Sequence, residues 1–281
     1  MIQANGPARP PIRVSCIQFA PEIGAVDANM AEASRLVRAA AAEGSGLIVL
    51  PELASTGYVF ASQEEANSLA EPVPDGPTTR AWAALARELG IHIVAGIAER
   101  GGDVLYNAAV IVGPEGYIGT YRKAHLWDQE NVYFAKGDLG FPVFDTAVGR
   151  VGVAICYDGW FPETFRQLAL GGAEIVCIPT NWVPMPDQPE GEAAMANTLH
   201  RAAAHSNGLF IACADRVGTE RGQPFEGQSL IIGPKGWPLA GPASRDRTET
   251  LSALVDLDEA GRKDLNAFNS LLRDRRTDIY G

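Results

Sequence analysis

The 281 residues contain no apolar run approaching the ~18–20 residues a membrane span requires, so no membrane partner is expected. A surplus of positive charge is missing too: 34 acidic against 23 basic residues give a formal charge of −11. No basic stripe with interleaved aromatics occurs, and nucleic acid is therefore not an expected partner. Arg273, Arg275 and Arg276 sit among Asp274 and Asp278 and read as a salt-bridged tail. The opening MIQANGPARPP lacks the hydrophobic centre of a signal peptide, so residues 1–11 are expected to be a disordered lead-in. Cysteine is sparse: Cys16, Cys156, Cys177 and Cys213 show neither CxxC nor paired framework spacing. Three of them lie inside strand-like runs, where cysteine is a small buried hydrophobe, which implies reduced thiols and a cytoplasmic location. Neither GxxxxGK[ST], GxGxxG, HExxH nor the Cys/His spacing of a tetrahedral zinc site is present, so neither a cofactor nor a metal is expected.

What is present is a globular composition, 46% hydrophobic with 20% charged, in a chain long enough to bury a full core. Residues 12–19 (IRVSCIQF) read as a first strand, followed by a helix capped by Asp27 and running through Glu43. GLIVLPE, 46–52, is a continuous apolar run, hence a strand buried on both faces and ending in a carboxylate. Pro77 opens a second helix, and 91–99 is the next buried strand. Residues 106–123 form a hairpin turned by Gly113-Pro114-Glu115-Gly116, and the same device returns in SLIIGPKGWPLAG, 229–241. That repeat predicts two similar halves facing each other. Further strands are read at 173–181, 209–216 and LSALVDLD, with an Ala-rich helix at about 192–206. No Pro/Ser-rich linker divides the chain, so one domain over 12–281 is expected, a layered α/β sandwich built on two mixed sheets.

The stretch that carries chemistry is VGVAICYDGWFPE, 151–163. An apolar run delivers Cys156 to a polar and aromatic turn, and Pro162 then opens the helical pattern TFRQLAL. Strand, thiol, sharp turn and helix in that order form a nucleophile elbow, which lifts the sulfur off a strand end beside free backbone N–H groups. A thiol that attacks a carbon–nitrogen bond needs a base, a cation or donor set for the charge that develops, and a proton source for departing ammonia. Glu52, at the end of LIVLP, suits the base; alone it fits a rim carboxylate equally well. Lys123, leaving its hairpin in GTYRKAHLW, suits the cation, with Arg122 beside it as the solvated member of the pair. Glu130, one and three-quarter helical turns on if the segment coils, suits a carboxylate that orients the lysine, or a plain surface acid.

PELASTGY at 51–58, YRKAHLWDQE at 121–130 and GVAICYDGWFPE at 152–163 resemble the Glu–Lys–Cys signature of the nitrilase superfamily of carbon–nitrogen hydrolases. The likeness extends from about Ile12 to the tail, and IACADRVGTERG resembles small nitrilases and aliphatic amidases in particular. It implies a four-layer α-β-β-α sandwich that assembles through its sheets and tail into a homodimer or larger homo-oligomer. The tail carries Leu265, Phe268, Leu271, Leu272, Ile279 and Tyr280. Carried over, Glu52 is general base and acid, Lys123 the cationic stabiliser, Cys156 the nucleophile and Glu130 the supporting glutamate. The Lys123 ammonium and the Tyr157 backbone N–H would hold the oxyanion. Tyr58, Asn181 and Trp182 would lie near the rim of a small, mostly apolar cavity, though packing or a dimer contact fits each equally. The expected reaction is hydrolysis of a small aliphatic amide to acid and ammonia through a thioester. Hydrolysis of a small nitrile through a thioimidate is the alternative.

Rival readings are weaker. A papain-like pair would use Cys156 with His200 or His205, but these lie five apart on one helix and diverge around its axis. His125 reads as a satisfied structural histidine. A catalytically silent binding or assembly module would not need all three reactive residue types. Acyl transfer to an amine remains compatible, but no extra domain marks a second substrate.

Overall fold

The computed structural model describes residues 9–189 and 191–280. Most of the expected lead-in lies outside the described residues; at its end Arg9 pairs with Glu174 at 2.5 Å and Asp258 at 2.6 Å. The first half runs β1 (Ile12–Gln18), α1 (Val26–Ala42), β2 (Ser45–Val49), α2 (Gln63–Leu69), α3 (Pro77–Leu89), β3 (His92–Gly101), β4 (Val104–Gly113) and β5 (Gly116–Arg122). After a single turn, α4 (Glu130–Tyr133), come β6 (Val143–Thr146), β7 (Gly149–Val153), α5 (Pro162–Leu170), β8 (Ile175–Pro179), α6 (Met195–Asn207) and β9 (Phe210–Ala214). Two short hairpins, β10 (Thr219–Glu220) with β11 (Gln223–Pro224) and β12 (Leu230–Ile232) with β13 (Pro238–Ala240), precede β14 (Glu249–Val255).

Two six-stranded sheets result, ordered β14-β1-β2-β3-β4-β5 and β6-β7-β8-β9-β12-β13. Read in those directions, both sheets have the same succession of pairings: antiparallel, parallel, parallel, antiparallel, antiparallel. The two GPxG hairpins close the same edge of each sheet, which is the structural content of the repeat.

Side-chain alternation builds the layers. Val14, Cys16, Leu47, Val49, Val94, Ala109 and Ile111 point between the sheets, against Val151, Val153, Ile175, Cys177, Ala212 and Ile231. Their sequence neighbours Ile17, Ile48, Ile93, Ala95 and Val110 face the other way, onto Ala33, Leu36, Val37, Trp82 and Leu85 of α1 and α3. Phe165 and Leu168 of α5 and Ala204 of α6 cover the second sheet. This is the α-β-β-α sandwich. Strands covered on both faces must be apolar throughout, so the central strands read as continuous hydrophobic runs.

Local chemistry sets the helix ends. α3 starts on Pro77 and stops at Gly90 with φ +67°; α6 stops at Gly208 with φ +60°. α1 starts one residue before Asp27, with no side-chain cap; Asp27 lies in the first turn, where its charge still favours the helix dipole. Nearby Asn29 is engaged instead with the backbone of Glu22 and Ser55. α2 was not expected, although Ser62 caps it by accepting from Glu65 N–H while Glu65 accepts from Ala61 N–H.

Candidate active site

Three strand ends deliver the reactive groups. The β2 ladder stops at Val49 rather than continuing to Glu52, because Pro51 has no N–H to donate and the chain bends across β3. The bend brings Glu52 over Gly96, where a Cβ would stand 2.5 Å from the Glu52 Cα; only glycine admits this approach. Lys123 follows β5, its backbone N–H bound to the Asn107 carbonyl at 2.8 Å. Strand alternation turns Arg122 the other way, to Glu99 and Asp138; it is ion-paired rather than simply solvated. Cys156 follows β7 with φ +44°, a left-handed conformation costing roughly 1–3 kcal/mol for a side-chain-bearing residue. It opens a 3₁₀ turn, Cys156–Trp160, that passes into α5.

The strained turn is held by Asp158, which is fully buried. Its carboxylate accepts from Ile155 N–H at 2.9 Å, the Tyr121 hydroxyl at 2.7 Å, and His125 through N–H at 3.0 Å and Nδ1 at 2.7 Å. One side chain thus ties the turn that carries Cys156 to the segment that carries Lys123. His125 also stacks on Phe161 with centroids 3.7 Å apart. The segment from Lys123 to Glu130 is a loop rather than a coiled helix, yet it returns Glu130 to the lysine.

Lys123 Nζ donates to Glu52 Oε1 at 2.6 Å and to Glu130 Oε1 at 2.7 Å, and all three side chains are buried. Asn107 Nδ2 donates to the same Glu52 oxygen at 2.7 Å. Tyr58 hydroxyl donates to Glu130 Oε1 at 2.7 Å, and Trp127 N–H to Glu130 Oε2 at 3.2 Å. Glu52 Oε2 is buried and has no partner among the described residues. The array holds two carboxylates and one ammonium, and its electrostatics follow from that count. Burial, reinforced by the Glu130 charge, pushes Glu52 up to about 7 against the opposing pull of Lys123 and Asn107. Burial alone would discharge Lys123, but Glu130 and Glu52 outweigh it and keep the ammonium charged. Burial and the Glu52 charge raise Cys156 well above the usual thiol range, while Lys123 opposes them. At neutral pH the arrangement is a protonated thiol within the electrostatic reach of a carboxyl group that can both accept and release a proton.

A cavity of about 20 Å³ opens at Cys156, walled by Trp127, Tyr157, Trp160, Asn181, Trp182 and Val183. That is room for little more than one water molecule. Tyr58 lines a neighbouring cavity of about 80 Å³ with Glu130, on the other side of Trp127 and Val183. Asn181 Nδ2 donates to the Glu52 carbonyl at 3.0 Å, joining the pocket wall to the Glu52 backbone. Tyr157 stands edge-on to Trp127 at 4.9 Å. Its N–H is among the leading donors of the 3₁₀ turn, whereas that of Asp158 is taken by the Ile155 carbonyl. A larger cleft of about 960 Å³, lined by Arg201, His205, Trp237 and Leu265, shares no lining residue with the Cys156 cavity.

The histidines of the papain-like reading are engaged elsewhere. His200 Nδ1 lies 2.6 Å from the Ala196 carbonyl, among the Trp182, Trp160 and Phe165 rings, and burial lowers it to about 4. His205 is exposed, with Nδ1 3.1 Å from the Lys235 carbonyl. Sequence reasoning missed Asp158, Asn107 and Trp127. Asn107 had a signal, an amide inside a buried strand; Asp158 had a weaker one, an acid two residues after the thiol.

Comparison with known proteins agrees with this geometry. A family model described as carbon–nitrogen hydrolase matches residues 13–263. Over 269 residues the chain is 44% identical to a nitrilase of Pyrococcus abyssi, covering 96% of this chain and 99% of that one. It is 37% identical over 289 residues to an N-carbamoylputrescine amidase of Solanum lycopersicum, covering 96% and 93%. Among solved structures, a carbon–nitrogen hydrolase of Helicobacter pylori matches with a TM-score of 0.86 at 29% identity, covering 96% and 97%. The chain therefore belongs to the carbon–nitrogen hydrolases of the nitrilase superfamily. It is an enzyme of that class.

Proposed function

We propose that the protein hydrolyses a small aliphatic amide to its acid and ammonia through a thioester on Cys156. The observation that carries this reading is the buried Glu52–Lys123–Glu130 array, whose unpartnered Glu52 Oε2 stands in the electrostatic reach of the thiol. Glu52 takes the thiol proton as sulfur attacks the carbonyl carbon. The resulting oxyanion is held by the Lys123 ammonium and the Tyr157 N–H, in a site whose burial strengthens both interactions. Glu52 returns the proton to nitrogen as the C–N bond breaks and ammonia leaves. It then deprotonates a water that attacks the thioester, and the collapsing intermediate restores the thiol. Glu130, held by Tyr58 and Trp127, keeps Lys123 charged and directed. The aromatic and aliphatic walls of the Cys156 cavity, among them Trp160, Trp182, Val183 and Met185, support an apolar acyl group.

A second reading, hydrolysis of a small nitrile, is favoured by the name of the Pyrococcus abyssi relative. There the same attack forms a thioimidate, and water adds before ammonia departs. The test is ammonia release from a short aliphatic amide and the corresponding nitrile, with Cys156→Ala as control. Cys156-dependent release from the amide alone supports the first reading, and efficient release from the nitrile replaces it with the second. Silence on both, with no thioester detectable by intact mass, would overturn the hydrolytic reading for these substrate classes.

A further inference from the structure

Glu220 lies far from Cys156 in sequence, yet it is buried with its carboxylate turned inward from the β10–β11 hairpin. Its Oε2 accepts two consecutive backbone donors, Tyr58 N–H at 2.8 Å and Val59 N–H at 2.6 Å. Its Oε1 faces Arg216 Nη1 at 3.0 Å. Arg216 is itself buried: Nη2 donates to the Pro21 carbonyl at 2.8 Å, and the guanidinium lies 4.2 Å from the centre of the Phe225 ring. The same ring meets Tyr58 edge-on at 5.9 Å. Gly57 has φ +80°, and a Cβ there would stand 2.8 Å from Glu220 Oε1, so loop and carboxylate are fitted to one another. The adjacent Asp215 accepts the N–H of Trp182, a lining residue of the Cys156 cavity, at 2.9 Å.

A buried ion pair is a poor device for stability alone, because desolvation offsets most of its attraction. This one is placed where it fixes geometry. Tyr58 is the residue whose hydroxyl reaches Glu130, and Glu130 holds Lys123.

We propose that Arg216 and Glu220 form a positioning brace for the proposed reaction, setting the Lys123 ammonium through the 57–59 loop, Tyr58 and Glu130. The brace rests on the assignment of Lys123 given above. Displacement of a catalytic group by about 1 Å costs on the order of 10²-fold in rate. Glu220→Gln breaks the brace whichever way its amide turns. The NH₂ faces either Arg216 or the two loop N–H groups, donor against donor, and Arg216 loses its counter-charge. Glu220→Asp keeps the charge on a side chain one methylene shorter and should recover part of the loss.

Two measurements test this together. Amide hydrogen exchange of the peptide spanning Tyr58 and Val59 should accelerate in Glu220→Gln while peptides from β2, β3 and β8 stay as in the wild type. On a substrate turned over in a Cys156-dependent manner, kcat/KM should fall 10- to 100-fold. Combined with Tyr58→Phe, the double variant should lie within about threefold of the worse single variant, because both act through one contact. Unchanged loop exchange, unchanged kcat/KM, or losses that multiply in the double variant would each overturn the brace. If Glu220→Gln does not fold, Glu220→Asp carries the same comparisons with smaller expected losses. Absence of Cys156-dependent turnover in the wild type would count against the proposed function, while the exchange experiment still decides whether Glu220 holds the loop.

Discussion

Replacing Glu52 by Gln should make the protein more tolerant of alkaline pH while removing its activity. In the folded chain burial raises Glu52 from its usual 4.5 to about 7. A raised carboxyl contributes stability that is complete below the unfolded value and is lost as pH rises through the folded one. The window is therefore pH 4.5 to about 7. A displacement of that size corresponds to roughly 3 kcal/mol, since each pKa unit is worth about 1.4 kcal/mol. For a chain of this length that is a fall in Tm of about 5–7 °C between pH 5 and pH 8 attributable to this one group. Glutamine keeps the shape and an acceptor for Lys123 and Asn107 but has nothing to ionise, and Glu130 remains as counter-charge. Thermal unfolding of both proteins at pH 5 and pH 8 reads the difference of differences. The variant should lose less Tm than the wild type across the interval, while kcat/KM falls by ~10²–10⁴-fold through loss of the base. Parallel pH dependences would show that burial does not perturb Glu52, and the argument for its role as proton carrier would fail.

Lys123→Ala should lower kcat/KM by at least ~10²–10³-fold, the cost of one oxyanion donor, and steady-state kinetics with retained turnover would exclude its role. The same substitution strands two buried carboxylates, so unfolding measurements should show a penalty of roughly 3–5 kcal/mol at pH 8. His200→Ala should destabilise the fold by removing a buried ring yet leave more than a tenth of the activity; abolition in a folded variant would revive a Cys–His mechanism. Truncation before Leu265 removes Phe268, Ile279 and Tyr280, which are exposed at 87%, 68% and 54%. If this tail joins copies of the chain, light scattering should report a smaller assembly for the truncated protein, and an unchanged mass would reject that role.

Much of the framework was legible because its signals are local. Pro77 and Gly90 bracket α3, Pro162 opens α5, and Gly208 ends α6, each through the backbone angle that residue permits. The repeated GPxG turns announced matching hairpins in two sheets. The misses are equally physical. α2 is short and amphipathic signals are weak over seven residues, though its Ser62–Glu65 capping pair was available to be read. The strand at 46–52 was extended too far because apolar character continues past Val49, while pairing stops where proline and the bend remove the donors.

Residue order alone puts a thiol on a tight turn after one strand, with an acid and a lysine after two others. Those features depend on residue type, periodicity and turn chemistry, all of which act over a few neighbours. What these groups become depends on contacts that exist only in the folded chain. Lys123 and Glu52 are 71 positions apart and share a proton-bearing contact of 2.6 Å; Glu220 and Tyr58 are 162 apart. Burial raises Glu52 and Cys156, the opposing charges keep Lys123 an ammonium, and Asp158 binds the two segments together. Protonation state depends on distance and dielectric, and neither is a property of the chain until it has folded.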